Sequence, residues 1–176
     1  MTTALVSKQF IAGFGDQMTA QAQSAGKSVA FMTLPEGGGA RLSQDDCDRI
    51  DCTYLDRDIR FNDRIYGAYE DALIASKSVK WTHITSSGVN PAPWVTALAA
   101  KGAVITSSTG SNAEPVAQTG MTGLLMLARG FPNYVQAQHK REWQPLRGDT
   151  LPNDLRGQTL LLIGVGAVGR TLAGYA

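Results

Sequence analysis

Apolar positions along the chain fall into two patterns, short continuous runs and longer stretches at helical spacing. The runs at 3–7, 28–33, 80–85 and 103–106 predict strands, and 51–55 predicts a weaker one. Between them, 9–24 predicts a helix and 43–50 a helical turn begun by Ser43 with Asp45 and Asp46. Over 63–77, Ile65, Ala68, Tyr69, Ala72, Leu73 and Ala75 recur at helical intervals. Residues 91–101 predict another helix, stopped by Gly102. The stretches 34–39 and 86–91 carry turn residues, and 107–111 is a polar loop. The strongest helix is predicted over 112–129, with Val116, Met121, Leu124, Leu125 and Leu127 apolar, and a more polar one over 132–143. Residues 144–158, with Pro145, Gly148, Pro152 and Gly157, read as a linker. An apolar strand at 159–163 then enters a glycine-rich turn. Strands alternating with helices predict an α/β chain with a mainly parallel sheet.

Composition narrows the class. The 176 residues carry 16 Lys+Arg against 15 Asp+Glu, and no basic run offers a footprint for nucleic acid. With 43% hydrophobic and 18% charged residues the chain is globular in balance. No apolar stretch approaches the roughly 18 residues of a membrane helix, and Met1 to Lys8 does not read as a signal peptide. Cys47 and Cys52 are too few for a disulfide framework or a metal cage. These features fit a cytoplasmic protein.

The chemistry concentrates at residues 164–169, Gly-Val-Gly-Ala-Val-Gly. A lone GxGxxG is a weak signal. Here an apolar run (Leu160 to Ile163) enters it and a helical start (Arg170 to Ala173) leaves it, the order that a dinucleotide fold requires. Each glycine has its own expected task. Gly164 allows the tight turn, Gly166 lets backbone approach a pyrophosphate, and Gly169 lets helix and strand pack closely. The helix start would present N–H groups to the phosphates. An acidic partner for the ribose is expected about 20 residues further on, beyond the last residue, Ala176. The sequence thus reads as a dinucleotide domain begun and not finished.

With that motif the chain resembles the D-isomer-specific 2-hydroxyacid dehydrogenases. Trp81 to Asn90 is similar to the family's strand and SxGVD-type turn. Gly110 to Gln118, followed by Leu124 to Arg129, is similar to its GxNAxxVAE helix ending in LALAR. Trp143 and Leu155-Arg156-Gly157-Gln158-Thr159 lead into the GxGxxG, so the likeness covers about 81–174. Residues 1–80 fit only by length and alternation, with Tyr54 to Asp58 loosely similar to a family strand end.

The resemblance implies a flavodoxin-like, parallel-sheet substrate domain followed by the start of a Rossmann domain. It implies NAD or NADP as cofactor, a small 2-keto or 2-hydroxy acid as substrate, and a homodimer in the full-length form. It assigns the substrate carboxylate to the turn at Ser87, Gly88 and Val89, whose amides donate to an anion without a cationic side chain. It assigns the cofactor to Gly164, Gly166, Ala167, Val168 and Gly169. Asn90, Gln118 and Ala167 stand where the family usually has Asp, Glu and often Arg, and Arg170 is the basic side chain that would compensate for the last. The family's catalytic Arg, Glu and His lie downstream of the first Rossmann helix, so no catalytic residue is assigned here and the chain alone is expected to be inactive.

The expected organisation is 1–110 as substrate domain, 111–145 as bridging helices and 146–176 as an incomplete NAD(P)-binding domain. The expected function is that of an NAD(P)-dependent 2-hydroxyacid oxidoreductase. The alternative is a non-enzymatic flavodoxin-like interaction or ligand-binding module. Other polar features read as structural. His83 is expected to be a hydrogen-bonded core histidine and His139 a surface one. The cysteines are expected to be unreactive in their acidic setting, and Asp45, Asp46, Asp48 and Asp51 to form a solvated face without a calcium-loop pattern.

Overall fold

The computed structural model describes residues 1–37 and 40–176. Gly38 and Gly39, part of the turn expected at 34–39, lie outside the described residues. The chain divides into two compact units, Met1–Thr109 and Gly110–Ala176.

The N-terminal unit is built on five parallel strands: β1 (Thr2–Leu5), β2 (Val29–Met32), β3 (Cys52–Leu55), β4 (Trp81–Ile84) and β5 (Val104–Ser107). Their spatial order is β2-β1-β3-β4-β5, the flavodoxin-like arrangement that reverses direction beside β1. The helices are α1 (Lys8–Ser24), α2 (Gln44–Cys47), α3 (Arg57–Arg60), α4 (Asp63–Ala75) and α5 (Pro93–Ala100). Local chemistry sets their starts. The hydroxyl of Ser7 accepts from Phe10 N at 2.9 Å to open α1, and Asp56 Oδ1 accepts from Ile59 N at 3.0 Å to open α3. The sequence pattern missed α3, because four residues are too few to show a helical period.

Strand alternation separates the two faces of the sheet. Leu55 and Ile84 point to a core with Ile59, Tyr69, Leu73, Trp94 and Leu98, all buried. One polar chain crosses this core: the Tyr69 hydroxyl meets Thr53 Oγ1 at 2.8 Å, and Thr53 donates to Thr82 Oγ1 at 3.1 Å. Burial pushes the Tyr69 phenol far above its ordinary range. On the opposite face, α1 packs Phe10 against Tyr54 with ring centroids 4.9 Å apart.

The C-terminal unit contains α6 (Ala113–Ala128), α7 (Phe131–Lys140), a single 3₁₀ turn at Gly148–Thr150, and α8 (Ala167–Ala173). Here α6 packs against α8, with Gly120 facing Leu172. The strand expected at 159–163 does not form. Leu161 is 80% exposed and Ile163 95% exposed, and no ladder partner exists for them among the described residues. A parallel strand is held by neighbours on both edges and covered on both faces. Without these the segment keeps its place in the chain order but not its secondary structure.

Candidate cofactor and substrate sites

The glycine-rich loop is followed by α8 as expected, but among the described residues no strand leads into it. Gly164 takes φ +98°, a left-handed conformation that side chains resist. Gly169 lies in the first turn of α8, and a Cβ there would fall 2.2 Å from the Gly164 carbonyl oxygen. That contact is with backbone, so only glycine lets the helix close onto the turn. Gly166 is different: its backbone is extended (φ −72°, ψ −162°), and a Cβ would meet nothing within 4 Å. Open space therefore stands over Gly166, at the start of α8, where no side chain caps the first amides. Donors without acceptors beside open space suit a diphosphate. Ala167 and Val168 lie in that first turn. Arg170 donates to the Val165 carbonyl at 3.0 Å, which folds its guanidinium back along the loop. These residues fit the pyrophosphate of a dinucleotide.

The second candidate site is the turn after β4. Three successive carbonyls are tied down within the N-terminal unit. Ser86 O accepts from Ser108 N at 3.2 Å, Ser87 O accepts from the Thr109 hydroxyl, and Gly88 O accepts from Ser86 Oγ at 3.0 Å. The Gly88 and Val89 amides donate to no acceptor among the described residues, and Ser87, Gly88 and Val89 are exposed. The turn thus faces solvent with its donors and keeps its acceptors inward, the polarity that an anion site needs. Sequence reading missed two contributors. Thr109 holds the Ser87 carbonyl, and Arg60 Nη1 donates to Ser86 Oγ at 2.6 Å. Both are brought to the turn by chain ends of other strands, which no local pattern reveals.

The remaining polar residues are accounted for structurally. His83 uses both ring nitrogens, at 2.8 Å to Thr106 Oγ1 and 2.9 Å to Ser108 Oγ, and its ring stacks on Tyr54. His139 is exposed on α7. Burial, reinforced by nearby carboxylates, raises both thiols above their ordinary range, so thiolate is disfavoured at Cys47 and Cys52. Asp51 accepts from Thr3 N at 2.8 Å and Asp48 from Lys77 N at 2.9 Å, which makes these carboxylates struts between loops. The Lys77 amide holds the Asp48 carboxyl below the usual carboxylate range. Among the described residues no group of His, Cys, Asp and Glu could hold a metal ion, and no helix is long and apolar enough to cross a membrane.

Residues 121–176 match the family model of the D-isomer specific 2-hydroxyacid dehydrogenase, NAD binding domain. No curated relative matches the sequence. Among solved structures, a glyoxylate reductase from Paecilomyes thermophila is 23% identical with a TM-score of 0.64, covering 99% of this chain and 52% of that one. A phosphoglycerate oxidoreductase from Rhizobium etli is 19% identical with a TM-score of 0.63, covering 99% and 52%. A D-lactate dehydrogenase from Aquifex aeolicus, solved with NAD and lactic acid, is 15% identical with a TM-score of 0.60, covering 99% and 47%. The chain spans about half the length of these solved structures. Residues 121–176 thus match the NAD-binding domain of the family that the sequence resembles, and the solved dehydrogenases share the α/β fold.

Proposed function

We propose that the chain is the portion of an NAD(P)-dependent 2-hydroxyacid oxidoreductase that receives the substrate carboxylate and the cofactor pyrophosphate. The observation that carries this reading is the loop at 164–169. It combines a left-handed Gly164, a Gly169 that admits no Cβ, and open space over Gly166, within a segment that matches an NAD-binding family. When bound, the nicotinamide supplies hydride chemistry at C2 of a small 2-hydroxy or 2-keto acid.

The chain's own residues bind and orient. Gly166, Ala167 and Val168 offer backbone donors to the diphosphate, Gly164 and Gly169 shape the loop, and Arg170 adds positive charge in place of the Arg that Ala167 lacks. Ser87, Gly88 and Val89 receive the carboxylate and so hold C2 at the site. Neither histidine is placed for proton transfer: His83 is committed to two hydroxyls, and His139 sits on the outer surface of α7. The acid–base pair is therefore assigned to the rest of the enzyme. Substrate domain 1–110, bridging helices 111–145 and cofactor-binding segment 146–176 remain the proposed division. A homodimer is proposed through α6 and α7, which expose Leu125, Leu127, Phe131 and Tyr134. A cytoplasmic setting is proposed from the two free cysteines.

The test is titration of the isotope-labelled chain with NAD and NADP, followed by amide NMR shifts. Saturable shifts at Gly166, Ala167 and Val168 are expected, and the cofactor with the lower Kd is the preferred one. No perturbation of these amides by either cofactor at millimolar concentration refutes the reading and favours the non-enzymatic module.

A further inference from the structure

Residues 106–109 place four hydroxyl side chains in a row, Thr-Ser-Ser-Thr, at the end of β5. Thr109 donates to the Ser87 carbonyl and is met by Ser107 Oγ at 2.8 Å. Ser108 N donates to the carbonyls of Ile84 at 3.0 Å and Ser86 at 3.2 Å. Thr106 and Ser108 turn their hydroxyls to one ring, that of His83 on β4. Peptide geometry gives the two held carbonyls of the turn their consequence. In a trans peptide the C=O of one residue and the N–H of the next point to opposite sides of a rigid plane, and the peptides of this turn are trans. Drawing the Ser86 carbonyl inward therefore aims the Ser87 amide outward, and drawing the Ser87 carbonyl inward aims the Gly88 amide outward. Ser108 and Thr109 thus orient two of the donors assigned to the carboxylate.

The direction of the hydrogen bonds on His83 follows from Trp81. An indole nitrogen can only donate, and Trp81 Nε1 lies 2.9 Å from Thr106 Oγ1. That oxygen accepts from Trp81 and has its own proton to give. Two acceptors are within range, His83 Nδ1 at 2.8 Å and the Thr82 carbonyl at 3.5 Å. The shorter contact takes the proton. Nδ1 then accepts, Nε2 carries the imidazole proton, and Ser108 Oγ receives it at 2.9 Å. Stacking on Tyr54, with centroids 5.6 Å apart and planes within 9°, holds the ring in that orientation. The donors run one way, from Trp81 to Thr106 to His83 to Ser108, and end on the residue whose amide grips the turn.

We propose that His83 is a positioning residue for the carboxylate turn: its Nε2–H fixes Ser108, and Ser108 with Thr109 aims the Ser87 and Gly88 amides at the anion. This inference rests on the proposed carboxylate site and adds the side chain that holds it from within the sheet. The two arms of the ring do different work. The Nδ1 arm joins β4 to Thr106 on β5, and only the Nε2 arm reaches the loop that grips the turn. They are separable by side-chain length.

The experiment titrates the 176-residue chain with D-lactate, follows the Ser87, Gly88 and Val89 amides by NMR, and measures urea midpoints alongside. Gln places its terminal nitrogen near the position of imidazole Nε2 and so reaches Ser108, whereas Asn is one methylene shorter and reaches only Thr106. His83→Gln is expected to bind D-lactate within about twofold of the wild type. His83→Asn is expected to lose about fivefold, the worth of one hydrogen bond, although both variants give up the ring stacking and their urea midpoints fall alike. Ser108→Ala is expected to lose as much as His83→Asn, and combining the two to cost no more, because they remove the same contact. Equal affinity in the Gln and Asn variants overturns the proposal, as does an additive loss in the double variant or a loss that follows the urea midpoint. The ring ¹⁵N signals of the wild type give a reading that needs no variant. A proton on Nε2 is expected, and a proton on Nδ1 overturns the proposal, since Ser108 would then orient the ring rather than the ring Ser108. Failure of the underlying site looks different: D-lactate moves none of the three amides of the wild-type chain.

Discussion

The loop at 164–169 allows two glycine substitutions to be set against each other. Gly169→Ala gains intrinsic helix propensity, about 1 kcal/mol in favour of alanine. Against this, its Cβ would stand 2.2 Å from the Gly164 carbonyl oxygen. Ordinary carbon–oxygen contact begins near about 3.3 Å, so helix and turn must part by roughly 1 Å. Neither side yields cheaply. The peptide plane of Gly164 is rigid, and its left-handed φ of +98° already limits how it can rotate. Overpacking of this kind costs about 1–3 kcal/mol, and a contact with backbone belongs at the upper end. The clash therefore outweighs the propensity gain, leaving about 2 kcal/mol against the closed loop, or roughly a thirtyfold loss of NAD(P) affinity. Gly166→Ala has the same chemistry and the opposite structural signature. Its backbone is extended and its Cβ would be in open space, so the free protein should be undisturbed. Only the bound diphosphate would meet the methyl group, with a loss of about tenfold or more. The assay is paired: helical ¹³Cα shifts over Ala167–Ala173 report the loop, and cofactor titration reports the site. Gly169→Ala should reduce both, Gly166→Ala only the second. A Gly166→Ala variant that binds cofactor like the wild type would refute the placement of the diphosphate. Intact helical shifts in Gly169→Ala would refute the close-contact argument.

Three further outcomes are expected. Tyr69→Phe should cost about 1 kcal/mol at neutral pH by removing the hydrogen bond to Thr53, read as a lower urea midpoint. Because burial raises the Tyr69 phenol above its ordinary value, its contribution is complete below pH about 10. Above that only the unfolded chain ionises, and stability falls by about 1.4 kcal/mol per pH unit. The wild type should lose this increment and Tyr69→Phe should not; parallel pH curves would contradict the assignment. The amides of Leu160 to Ile163, which have no ladder partner among the described residues, should exchange with solvent rapidly. Strong protection in a monomer confirmed by light scattering would show that the segment is paired after all. The 176-residue chain, assayed with NADH or NADPH and glyoxylate, hydroxypyruvate or pyruvate, should show no measurable turnover. Loss of a general acid–base group alone removes about 10²–10⁴ in rate, and robust activity that co-purifies with the chain would overturn the assignment of proton transfer to residues elsewhere.

Hydrophobic patterning located the five strands of the N-terminal unit and its longer helices, because each of those elements buries one face in a shared core and the burial is written into the sequence. Tyr69, Ala72 and Leu73 recur at helical spacing for the same reason that they are buried. The pattern failed at both extremes of length and context. The four residues of α3 are helical because Asp56 caps them, which a period cannot reveal. Leu160 to Ile163 have the composition of a buried strand and yet form none, since strand structure depends on hydrogen bonds to other strands that composition does not guarantee.

The two candidate sites differ in legibility for a physical reason. The glycine loop is nearly all local: the turn, the open position and the close contact lie within six residues, so the spacing of three glycines implies the geometry. Gly164 and Gly169 are restricted by the backbone itself, and their identity cannot drift without moving the helix. The turn proposed to receive the carboxylate is a tertiary product. Its sequence gives Ser86, Ser87 and Gly88, but the inward hold on its carbonyls comes from Ser108 and Thr109 beyond β5, and its cation from Arg60 beyond β3. The parallel order β3-β4-β5 brings these three chain ends to one edge of the sheet. Each alone is an ordinary loop residue with no motif to mark it. Donor polarity at this turn therefore follows from topology: the residues that hold it lie at the ends of neighbouring strands rather than next to the turn in sequence.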